Sequence, residues 1–207
     1  MYFPDPDQRA LLMETARAAD LYLTQSAQYL DVYREAGVEA VYLPTGARPD
    51  MFAPVEPALD QELDYSFFGF WTPWRTAFFS ELAEHLPDLR HRYVKPGLAP
   101  EDFKVLIRNT RVNLTALTNC DVTAGEHWAL SDRVWEIPYA GGFLLQDARR
   151  HAADHFEQEE IACFKDVREC AEQIRRFTGD APARRRVLDK ARERIRSRHL
   201  WAHRMER

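Results

Sequence analysis

The sequence predicts an α/β protein built on a doubly wound parallel sheet, and three observations carry that expectation. Short apolar runs alternate with segments of helical period from residue 20 onward. The run Leu63–Phe68 ends in Gly69 and is followed by Thr72-Pro73, an N-cap with proline at the first helical position. A helical stretch, Ser131–Ala140, passes through Gly141-Gly142 into Phe143-Leu144-Leu145, a short apolar run of the kind found in interior parallel strands.

In chain order, Asp7–Ala19 has Leu11, Leu12 and Ala16 in helical register, and Asp20–Thr24 is a strand candidate. Ala27–Ala36 is a helix closed by Gly37, and Val38–Leu43 is a strand stopped by Pro44. Residues 1–54 thus form a partial N-terminal α/β segment, and 54–62, polar and proline-containing, form a linker. Residues 63–182 form the main domain. Its first strand leads into a helix burying Phe78, Phe79, Leu82 and Leu86. Arg90–Val94 is a strand, Pro100–Asn109 a helix with Phe103, Leu106 and Ile107 inward, and Val112–Leu117 a third strand. Asn119–His127 is a polar loop at that strand's carboxyl end, where open α/β sheets bind ligands. Glu126 and His127 lie in it. Ala148–Phe156 is helical, Glu157–Glu160 is an acidic turn, Ile161–Phe164 is the last strand, and Asp166 opens a helix to Phe177. Residues 183–207 read as one basic terminal helix.

Composition bounds the function. The 207 residues are 45% hydrophobic and 12% aromatic, as a globular chain requires. No apolar run reaches membrane-spanning length, and Met1–Asp7 has no signal-peptide pattern. Cys120, Cys163 and Cys170 follow no metal spacing; free thiols in a reducing cytoplasm are expected. Asn113-Leu114-Thr115 matches a glycosylation sequon but lies in an expected buried strand, so it is read as chance. Net charge is −5, unevenly spread: residues 184–207 hold ten Arg or Lys against three acids, a balance of +7, which leaves −12 on the rest. With no nucleic-acid motif, a solvated basic helix face is expected of that tail rather than a nucleic-acid contact. No Gly-x-Gly-x-x-Gly and no phosphate-loop lysine is present, which argues against dehydrogenases and NTPases.

The chemistry concentrates in residues 131–147. Ser131 can cap the helix; Val134, Ile137 and Pro138 share a core face; Arg133 and Glu136, three apart, share the other. An arginine, a carboxylate and bare glycine amides suit phosphates and ribose hydroxyls.

The run Arg133-Val-Trp-Glu136, followed by Ala140-Gly141-Gly142 and an apolar strand, resembles GT-B glycosyltransferases of the family-4-like group 1 branch. The nearest likeness is to the spore-maturation-type proteins. The order of elements in residues 20–54, ending in Leu43-Pro44-Thr45-Gly46-Ala47-Arg48-Pro49, resembles the crossover out of that family's first domain. The resemblance implies that residues 63–182 bind a nucleotide-sugar donor and residues 1–54 belong to the acceptor side. It implies that Glu136 binds the ribose, that Arg133 and the Gly141-Gly142 turn lie near the diphosphate, and that Gly69 and Arg75 form a phosphate site. Glu126 and His127 join the binding set, and Glu159 or Glu160 is a weaker candidate for the sugar. Where many relatives carry a second glutamate, eight positions before the first, this chain has Trp128. The expected function is sugar transfer from a nucleotide-sugar to an unspecified acceptor, with no metal or other cofactor and with self-association or a partner chain at the acceptor side. A non-catalytic sugar-nucleotide binding module or a GT-B-like epimerase are the alternatives.

Overall fold

The computed structural model describes residues 6–25, 27–53, 60–116 and 130–206. Two parallel sheets are present among them. The smaller pairs β1 (Tyr22–Thr24) with β2 (Ala40–Tyr42). Around it lie α1 (Pro6–Arg17) and α2 (Leu30–Glu35), with Met13, Ala16, Tyr33 and Val38 as a small core. Leu11, expected inward, is 65% exposed; Met13 takes the buried position instead. A loop then leads into the single helical turn α3 (Pro49–Phe52).

The main sheet contains β3 (Leu63–Phe68), β4 (His91–Val94), β5 (Thr110–Thr115), β6 (Leu144–Asp147) and β7 (Ala162–Phe164). Its order is β4-β3-β5-β6-β7, all parallel, so the winding reverses between β3 and β5. Helices α4 (Pro73–His85) and α8 (Val167–Gly179) cover one face, where Phe78, Phe79, Leu82 and Leu86 pack as expected. The other face carries α5 (Pro100–Arg108), α6 (Arg133–Tyr139) and the short α7 (Ala152–His155). Thr72 caps α4 by accepting from the Arg75 amide at 3.2 Å, and Asp166 caps α8 by accepting from Glu169 at 2.8 Å. Asn113, the residue of the sequon, is 3% exposed and donates to the Ile107 and Phe143 carbonyls, so β5 hides it.

The terminal helix differs from expectation. α9 (Ala181–Arg198) stops, Leu200 is extended and forms a parallel bridge with Ala47, and α10 (Trp201–Met205) follows. The break satisfies the crossover loop: the Ala47 amide donates to the His199 carbonyl at 2.8 Å, and the Trp201 amide to Ala47 at 3.0 Å. Gly46 permits the approach, since a Cβ there would stand 2.9 Å from the His199 oxygen. Nor is the basic face of α9 simply solvated. Lys190 pairs with Glu159, and Arg194 with Glu160 at 2.8 Å.

Candidate functional site

In a doubly wound sheet the ligand crevice opens at the carboxyl ends of the strands flanking the reversal. Here those are β3, ending at Phe68, and β5, ending at Thr115. Four of the expected residues meet there.

Arg133 opens α6. Its guanidinium carbon stands 4.8 Å above the Phe68 ring, and its buried Nε has no hydrogen-bond partner among the described residues. Burial lowers the Arg133 pKa from its ordinary value, opposed by Glu136 and Asp132. The Ser131 hydroxyl, two residues earlier, is also buried without a partner among the described residues. It does not cap α6, as the sequence had suggested; Asp132 holds the cap position and makes no side-chain cap bond.

Glu136 is 9% exposed. Arg48 of the crossover loop reaches its Oε1 at 3.5 Å. Burial raises the Glu136 pKa first and Asp132 adds to it, while Arg133 and Arg48 oppose. The face shared by Arg133 and Glu136 is therefore not an open one. Val134 through Pro138 are all buried, and the crossover loop reaches the glutamate.

Gly69 follows β3, and its Cβ position is occupied by the Phe67 ring, 2.6 Å away. Arg75 is buried and spans the crevice. It donates to the Phe70 carbonyl at 2.7 Å on the β3 side and to the Ala116 carbonyl at 2.9 Å on the β5 side.

Gly141 and Gly142 are not part of this gathering. Gly141 has φ +93°; its amide donates to Pro138 and that of Gly142 to Ile137, each at 3.0 Å. These two bonds and the left-handed residue make a Schellman stop for α6. The pair thus sits at the far end of the helix from Arg133, roughly 10 Å along at 1.5 Å per residue. It packs on Arg108, Ile107 and Asn113 at the amino end of the sheet. The expectation that these amides face a diphosphate is corrected: they are spent on the helix, and a Cβ on Gly142 would lie 2.3 Å from Ile107. Glu126, His127 and Trp128 lie outside the described residues. Glu159 and Glu160 are engaged by α9.

The sequence reading missed Arg48 and Phe68. Arg48 had a signal: it precedes a proline that starts a helical turn, which holds it extended at φ −108°, ψ 102°. No local pattern marks Phe68, whose role comes from the packing of α6 over the end of β3. Among the described residues no group of three or more His, Cys, Asp or Glu is placed to hold a metal ion. No helix among them is long and apolar enough to cross a membrane.

Solved structures share the fold at low identity. Sucrose-phosphate synthase from Thermosynechococcus elongatus aligns with TM-score 0.68 and 16% identity over 98% of this chain and 60% of its own. An α,α-trehalose-phosphate synthase (UDP-forming) from Burkholderia vietnamiensis aligns with TM-score 0.66 and 13% identity, over 100% of this chain and 64% of its own. S. aureus TarM, solved as a mutant in complex with UDP, aligns with TM-score 0.65 and 13% identity over 100% and 47%. The chain therefore spans less than two thirds of these proteins, whose GT-B architecture it shares. No curated protein sequence matches it. The glycosyl transferase-like family model matches residues 49–207, so the chain is a member of the glycosyl transferase-like family.

Proposed function

We propose that this chain binds a nucleoside-diphosphate sugar in the crevice between the ends of β3 and β5 and acts in transfer of the sugar to an acceptor. The observation that carries the reading is Arg133: a guanidinium at the switch point whose buried Nε has no partner among the described residues, beside a buried glutamate. An arginine so placed suits a diphosphate oxygen and offsets the charge that builds on the departing diphosphate. Glu136, held by Arg48, suits the ribose hydroxyls. Sugar transfer by this arrangement is proposed to rest on electrostatic stabilisation and positioning, without a divalent metal. UDP in the TarM complex makes uridine nucleotides the first to try.

Within the family, the run from Arg133 to Gly142 supports a place near the spore-maturation-type branch. Cytoplasmic residence is proposed on the free thiols of Cys163 and Cys170. The acceptor side is proposed to include a second copy or partner chain over β1 and β2, where Leu23 is 52% and Val41 46% exposed.

A second reading, donor binding without transfer, is favoured by Arg75, whose guanidinium is held by two backbone carbonyls across the crevice. One experiment addresses both. Calorimetry against a panel of nucleoside diphosphates and their sugars is expected to find a binder, with Arg133→Gln weakening it by about 1.5–3 kcal/mol, the scale of a charged hydrogen bond. Unchanged affinity in that variant overturns the site. Binding with no sugar transfer or donor hydrolysis selects the second reading.

A further inference from the structure

Five arginines converge at the other end of the molecule. Arg108 ends α5, Arg111 lies at the start of β5, and Arg184, Arg185 and Arg192 project from α9. Together they line one cavity of about 420 Å³, in which Asp60 is the acid. The cavity lies at the amino ends of the strands. β3 has six residues, so at about 3.3 Å per residue the donor crevice is roughly 20 Å away.

Among the described residues, two of these guanidiniums, Arg184 and Arg192, make no ion pair. Asp64 engages Arg111, and Asp189 engages Arg185 at 2.8 Å. Arg184 donates to the neutral Phe177 and Thr178 carbonyls and to Gln61. The buried Nε of Arg192 has no hydrogen-bond partner among the described residues. Like charges also oppose one another: after burial, Arg111 lowers the Arg184 pKa, and Arg185, Arg108 and Arg196 lower that of Arg192, while Asp180 and Asp189 act the other way. Guanidinium forks match phosphate oxygens, and several around one cavity offset a multiply charged anion.

We propose that this arginine-lined cavity is a second binding site, for the phosphate or diphosphate group of a small molecule, separate from the donor crevice. Its volume falls within the range of small-ligand pockets, ~300–1,000 Å³. A nucleic-acid backbone fits less well, because the five arginines face one cavity and two cations further along α9 are matched by acids, Lys190 by Glu159 and Arg194 by Glu160. An anion here would join α9 to the starts of the strands and raise the stability of the bound state.

The test uses the full chain carrying Arg133→Gln, which removes the crevice cation, titrated with inorganic pyrophosphate by calorimetry. One equivalent is expected to bind, with a rise in the midpoint of thermal unfolding. Adding Arg192→Gln is expected to weaken binding tenfold or more. Leu188→Glu, which sets a carboxylate in the cavity wall without deleting an arginine, is expected to do the same and decides the matter if Arg192→Gln fails to fold. Absence of pyrophosphate binding in the Arg133→Gln background, or unchanged affinity in the folded Leu188→Glu variant, overturns the proposal. So does a single-stranded oligonucleotide that displaces pyrophosphate and binds tighter. None of these outcomes bears on nucleotide binding in the crevice, which the Arg133 comparison with wild type reads separately.

Discussion

Glu136 is a carboxylate placed where ionisation is costly. Its pKa is raised by burial, so the folded state disfavours the charged form and pays a penalty at neutral pH. The sign follows: the penalty is present above the raised folded-state pKa and vanishes as pH falls below the unfolded value. Glu136→Gln removes the charge while leaving an oxygen for Arg48, whose 3.5 Å contact is long. The variant is therefore expected to be as stable as wild type at pH 7 or more so, by urea unfolding, while its nucleotide affinity falls by about 1–3 kcal/mol, the scale of a lost charged hydrogen bond. Loss of both stability and binding shows that the glutamate is structural. A gain of stability with unchanged binding removes it from the site. Arg133 and Glu136 were legible in the sequence because an arginine and a glutamate three apart before a glycine turn is a local pattern. Arg48 was quoted only as part of a loop, because its partner lies 88 residues away.

At the scale of elements, the strands and helices of the main sheet were legible because each is announced locally. Thr72-Pro73 and Asp166 mark helix starts, and the β3 and β5 runs are apolar enough to be interior. What the sequence could not give is which end of an element faces the ligand. Gly141-Gly142 reads equally well as a phosphate cradle or as a helix stop, and only the sheet places it away from Arg133. This yields a discriminating prediction. Gly142→Ala drives a methyl into Ile107 and the Asn113 amide, and Gly141→Ala imposes φ +93° on a residue with a side chain. Each is expected to destabilise the chain by about 1–3 kcal/mol in urea unfolding, the scale of overpacking and of strained backbone. Nucleotide affinity of the folded fraction should be unchanged. A loss of nucleotide affinity at full stability returns the glycine amides to the site.

At the scale of the whole molecule, the chain closes on itself through α10. Trp135, fully buried in α6, donates from Nε1 to the Thr45 hydroxyl at 3.0 Å and stacks on His199 at 4.8 Å. Arg204, also buried, donates to the Pro44 and Thr45 carbonyls and to Nδ1 of His199 at 2.8 Å. The C-terminal segment thus fastens the crossover loop that carries Arg48, and so links the last residues of the chain to the candidate site. Since a guanidinium only donates, Nδ1 of His199 must accept and the ring must be neutral. Burial, with Arg204 and His155 adding to it, depresses its pKa from 6.5 to about 3. A base depressed in this way takes up a proton on unfolding, so stability is lost as pH falls from about 6.5 toward 3, by a few kcal/mol at most. Acids elsewhere titrate in the lower part of that window, so the informative quantity is a difference. His199→Gln keeps an acceptor for Arg204 but cannot be protonated. Between pH 7.5 and 5 wild type is expected to lose more stability in urea unfolding than His199→Gln does, and its tryptophan emission is expected to report exposure of Trp135 early in the transition. Parallel pH profiles for the two proteins would mean that His199 is charged in the folded chain and that α10 is held by something other than this neutral ring.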